Sequence, residues 1–164
     1  MSKLKLGIST LFILLSIVVV ANIIISSSAI FFGKDLFYLN YSSLDAIPIG
    51  TKLLLALKII AMLIFVSAVF IFIKAIIRFS KDQFFDEKLI RSFSKAGFLF
   101  FVAGLIGFIT SLLVLFINIR YTNYFNLDSR SLYVMLMIIG LFLFIFKNVL
   151  ENGKLLKQEN DLTI

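Results

Sequence analysis

The chain has 164 residues, 61% of them hydrophobic and only 15% charged, with a net charge of +7 and a mean hydropathy of +1.09. Soluble domains average about 45–50% apolar and about 25% charged residues, so a soluble globular enzyme and a disordered tail are both excluded. Cysteine and histidine are absent. That removes thiol nucleophiles, disulfides, histidine bases and the usual zinc, haem and iron–sulfur ligation.

Long uncharged runs map the elements. Lys5 to Lys34 encloses 28 uncharged residues, Lys95 to Arg120 encloses 24 and Arg130 to Lys147 encloses 16. A fourth run, Leu53–Ile77, is apolar except for Lys58 and Lys74. A helix crosses the hydrocarbon core in about 20 residues. The chain is therefore read as all-α, an integral membrane four-helix bundle of two antiparallel hairpins forming one domain. Its helices are expected near 6–30, 53–77, 86–119 and 132–157, followed by a tail over 158–164. A β-barrel would require an alternation that these runs lack.

The first run also resembles a signal peptide, with Lys3 and Lys5 ahead of it and Ser27-Ser28-Ala29 as a cleavage-like site. Its length exceeds the 7–15 apolar residues typical of such signals, which favours a retained anchor. The loop that follows carries Phe31, Phe32, Phe37, Tyr38 and Tyr41, an aromatic belt at the interface or a lid over a ligand. Asn40-Tyr41-Ser42 matches a glycosylation sequon. The Ile-, Phe-, Lys- and Asn-rich usage points to an AT-rich bacterium, where such a sequon carries no meaning.

Lys58 lies about 9 Å inside the second run. A charge at depth costs on the order of 2.5–3.5 kcal/mol. It is read either as a snorkelling lysine or as a functional cation paired with Asp35, Asp45 or Asp128. Asn22 and Asn118 fall in the same half of their runs, so the three form a candidate intramembrane polar site. The alternative is a pair of interhelical hydrogen bonds, each worth about 0.6 kcal/mol. No run contains an Asp or Glu, which disfavours a proton or cation relay.

Between the second and third runs, Asp86 is expected to cap a helix. Leu89, Ile90, Phe93, Ala96 and Gly97 then fall on one apolar face, with Lys88, Arg91 and Lys95 elsewhere. That basic side is expected to meet anionic lipid headgroups. Further on, Ala103, Gly104, Gly107 and Ser111 form a face of small residues on which helices approach closely. It serves either inside the bundle or between protomers of a homo-oligomer.

The basic residues set the orientation. Counting Lys and Arg, eleven lie on the N-terminal tail, the second loop and the C-terminal tail together, against four in the other two loops. Both termini are therefore expected in the cytoplasm. The positive charge flanks apolar runs, so direct nucleic-acid binding is not expected. Lys147 and Glu151, and Glu151 and Lys154, share a face at the end of the last helix. The terminal Leu162, Thr163 and Ile164 are apolar and are expected to dock onto something.

At this tail the sequence resembles the bacterial DUF2975 family of small four-span membrane proteins of unknown function. The family commonly closes with a Gly, a Leu and a Glu, then Asp-Leu-Thr-Ile. Here these are Gly153, Leu156, Glu159, Asp161, Leu162, Thr163 and Ile164. In the second loop Phe84, Asp86, Phe93 and Gly97 follow the same family, although Gln83 stands where it often has Pro. The resemblance implies no established activity. Family genes often neighbour a helix-turn-helix regulator of the Cro/CI type, which implies a membrane partner for a cytoplasmic DNA-binding protein. The expectation is a non-enzymatic inner-membrane regulatory or scaffold protein, with no catalytic, cofactor or metal residues. The alternative is a small transport or channel component built around Lys58.

Overall fold

A computed structural model describes residues 2–32, 49–79, 86–117 and 129–162. They form four helices, α1 (Ser2–Phe32), α2 (Ile49–Phe79), α3 (Glu87–Ile117) and α4 (Ser129–Leu162). No strand occurs among the described residues. The all-α architecture expected from the uncharged runs is what the chain adopts.

Most helices extend beyond their uncharged runs. The longest extension is in α4, which reaches Leu162 rather than ending near Lys157. Charge-free length measures the hydrocarbon slab. Helix length is set by where backbone hydrogen bonding stops, and Lys, Glu and Gln are good helix formers outside the slab.

The start of α3 shows the local logic. The Asp86 side chain accepts the Lys88 backbone N–H at 3.1 Å. Its carbonyl accepts from Leu89 at 3.0 Å and Ile90 at 3.1 Å. This is the expected N-cap. Glu87 then sits at the positive end of the helix dipole and pairs with Arg91 at 2.6 Å. The expected faces also hold. Leu89, Ile90, Phe93, Ala96 and Gly97 are buried, and Lys88, Arg91 and Lys95 are exposed.

Extensive contacts run in series, α1 on α2, α2 on α3 and α3 on α4. A common core forms where α2, α3 and α4 meet, from Ala68 and Ala75, from Leu89, Ile90, Phe93, Ala96 and Phe100, and from Leu143 and Leu150. These residues cluster toward the end where α2 leads into α3. The buried positions follow a seven-residue rhythm. In α2, Leu54, Ala61, Ala68 and Ala75 recur every seven residues, with Leu55 buried beside the first. In α3, Leu89, Phe93, Ala96, Phe100, Ala103, Gly107 and Thr110 alternate steps of four and three. Such spacing is the seam of helices packed at shallow angles, as in coiled coils. By contrast, α1 exposes Leu14, Ile17, Val18, Val20 and Ile24. An apolar helix exposed to this degree has lipid as its solvent.

Candidate functional site

The two seams of α3 are built differently. Toward α2 the contact is aromatic. The rings of Phe65 and Phe100 stand edge-on at 5.9 Å, and Phe72 meets both Phe93 and Phe100 at 6.1 Å. Phe93 continues to Phe146 of α4 at 5.1 Å, and Phe79 also meets Phe146 at 6.1 Å. Edge-to-face geometry places the positive rim of one ring on the negative face of the next. Where α2 ends, Arg78 donates to Ser92 at 3.2 Å.

Toward α4 the contact is backbone on backbone. A Cβ built on Gly140 would lie 2.7 Å from the Gly97 carbonyl oxygen, and one on Gly97 would lie 2.9 Å from that of Gly140. A Cβ on Gly104 would lie 2.7 Å from the Tyr133 carbonyl oxygen, and one on Gly107 would run into the Tyr133 ring. Ala103 is 2% exposed. Ser111 Oγ accepts from Arg130 Nε at 3.2 Å. Gly104, Gly107 and Ser111 of the small-residue face thus lie against α4, and Ala103 is buried within the chain. At Gly97 and Gly140 the close approach is mutual, each glycine facing the other's carbonyl oxygen. Gly140 stands alone in α4 with no small residue four positions away, so spacing could not single it out.

Arg130 is the polar feature that a loop-charge count overlooks. It enters α4 one residue after the helix begins. Its Nη2 is buried and has no hydrogen-bond partner among the described residues. Thr110, 3% exposed, lies beside Ser111 and spends its hydroxyl on the Ile106 carbonyl at 2.7 Å. The available signal was Arg130 lying three residues before Tyr133 on one helix face.

The structure describes two of the three residues of the candidate intramembrane polar site. Asn22 donates to the Val18 carbonyl of its own helix at 3.0 Å. Lys58 is half-buried on α2. Asn118 lies outside the described residues, as do the first-loop aromatics and the sequon. Ser16 and Ser67 likewise bond carbonyls four residues back, the habit of hydroxyls on helices with no water to turn to. No cluster of three or more metal-ligating side chains occurs among the described residues.

At its far end α4 leaves the bundle. Lys147 pairs with Glu151 at 2.7 Å, as their spacing implies. Beyond them Leu155 and Leu156 are 57% and 66% exposed, and Lys157, Gln158, Glu159 and Asn160 are exposed too. Gly153 is half-buried. The backbone is helical at Asp161 and Leu162, while Thr163 and Ile164 lie outside the described residues.

Three helices are long and apolar enough to cross a membrane, within Lys52–Phe79, Glu87–Leu113 and Arg130–Asn160, and α1 contributes the apolar stretch Leu14–Ile25. The fold and its surface define a helical membrane protein. The sequence pattern of the family described as protein of unknown function (DUF2975) matches residues 12–164, and the chain belongs to that family. No curated protein and no solved structure matches it.

Proposed function

We propose that this is a four-span, non-enzymatic protein of the bacterial inner membrane, with both termini cytoplasmic, that serves as a regulatory or scaffold partner of a cytoplasmic protein. The observation that carries the reading is the length of α4. Its 34 residues rise about 51 Å, against a hydrocarbon core of about 30 Å. The surplus projects from the end that carries the basic turn between α2 and α3. It presents Leu155 and Leu156 to solvent among charged neighbours. Two exposed leucines on a polar helix offer a partner the apolar contact that interface centres use. A helix-turn-helix regulator fits the cytoplasmic side and the family resemblance.

The test compares N-terminally tagged full-length protein with a chain ending at Gln158 and with Leu155→Ser/Leu156→Ser, each purified from native membranes in mild detergent. Equal expression and helicity are checked first. A soluble DNA-binding protein should co-purify with the full chain and be lost from the double variant. Identical co-purification with all three chains would defeat the reading.

A second reading, a small transport or channel component, is supported by Lys58 being half-buried in an apolar helix. Liposome flux abolished by Lys58→Met would favour it. Flux indistinguishable from empty liposomes would remove it.

A further inference from the structure

On the outer face of α3 a groove of about 400 Å³ is lined by Ile71 of α2, by Ser94, Lys95, Phe98 and Leu99 of α3, and by Phe144 of α4. Its composition is graded along the helix. Lys88, Arg91 and Lys95 are exposed at positions i, i+3 and i+7, one stripe of α3. The same stripe continues as Phe98, 57% exposed, and Leu99. A second cation stands on α2 outside the groove lining. Lys74 is exposed one turn from Ile71, and its Nζ lies 4.1 Å from the Phe70 ring centroid. The antiparallel α2–α3 register, fixed by Phe72 against Phe93 and Phe100, puts Lys74 and Lys95 at about the same depth. Among the described residues neither lysine has a carboxylate partner.

We infer that this groove binds one anionic phospholipid, its phosphate held by Lys95 and Ser94 with the Lys74 ammonium attracting it from the same depth outside the groove, and one acyl chain lying along Ile71, Phe98, Leu99 and Phe144. Charge complementarity selects this occupant. Lysine ammonium groups near the membrane surface attract anionic headgroups, and the apolar half of the groove takes the chain attached to the same phosphate. The exposed apolar surface of α4, from Met135 through Ile138, Phe142 and Ile145 to Val149, carries no cation among these residues, so it binds lipid without headgroup choice. The site is independent of any cytoplasmic partner.

The experiment is native mass spectrometry of the full chain released from nanodiscs containing equal parts phosphatidylglycerol and phosphatidylcholine. One phosphatidylglycerol should persist through delipidation in preference to phosphatidylcholine. Lys95→Gln and Lys74→Gln should each lower its retention about fivefold, and the double variant about 25-fold. Lys157→Gln, with the same charge change on the projecting end of α4, should lower it less than twofold. Both lysines are exposed, so helicity and elution volume should match those of the native chain. Equal retention of the two lipids by the native chain would overturn the site. So would full phosphatidylglycerol retention by the double variant, or an equal loss with Lys157→Gln.

Discussion

Helix α3 meets its two neighbours by opposite means. Against α2 it uses phenylalanine rings set edge to face beside the buried Ala68 and Ala75. Against α4 it uses glycines, where the backbones themselves touch, together with one ring contact, Phe93 on Phe146. In water both designs would draw on the hydrophobic effect. In a bilayer lipid tails are as apolar as the core, and close packing is what remains. Large rings obtain it by area and glycines by proximity. A ring seam can re-pack around a lost methylene, whereas a backbone seam has no slack.

The largest effect is therefore expected at the glycine crossing. Gly140→Leu or Gly97→Leu places a side chain where a carbonyl oxygen already lies within 3 Å. The helices must separate, at a cost of about 3 kcal/mol or more. Reversible unfolding in mixed detergent micelles measures it. Native-like stability would show that the α3–α4 contact is not the tight one.

Phe93→Ala comes next. It empties roughly 100 Å³, and at about 24 cal/mol per Å³ the cavity term alone is about 2 kcal/mol. The transfer term contributes little where the unfolded helices already sit in lipid. A loss near the 3–5 kcal/mol of soluble cores would mean that this end of the bundle behaves as though it faced water.

Ser111→Ala removes the acceptor of Arg130 Nε and should cost about 0.6 kcal/mol, the usual worth of an interhelical bond in a membrane. The companion variant Arg130→Met removes a half-buried guanidinium whose buried Nη2 has no partner among the described residues. It should leave stability unchanged or raise it, because an apolar replacement abolishes the desolvation cost of the charge. A loss of several kcal/mol would mean that Arg130 anchors the glycine seam by more than one bond. The smallest effect belongs to Glu87→Gln. It breaks an exposed i,i+4 pair with Arg91 and should cost about 0.3–0.5 kcal/mol, read as a small shift in thermal midpoint that salt erases.

Much of this was readable in advance where polarity changes. Asp86 as a cap, the buried face from Leu89 to Gly97 and the Lys147–Glu151 pair all sit at boundaries between charged and apolar residues, where the pattern has contrast. Inside the membrane the contrast vanishes, because lipid-facing and core-facing residues are equally hydrophobic. Only residue size marked the seam there. It pointed to Ala103, Gly104 and Gly107 but not to Gly140, and it left the seven-residue rhythm of α2 hidden among leucines and isoleucines. The Lys58, Asn22 and Asn118 grouping rested on depth alone, and Asn22 turns back onto its own helix.

The sequence by itself determined that the chain is helical and membrane-bound and where each apolar run begins, because burying unpaired backbone groups in lipid leaves no cheaper form. The tertiary structure alone decided which neighbour each face of α3 takes. It set the glycines on α4 and the rings on α2, drew Arg130 against Ser111, and opened a groove beside Lys95. Those choices depend on shape complementarity between surfaces far apart in the chain, and hydropathy carries no record of shape.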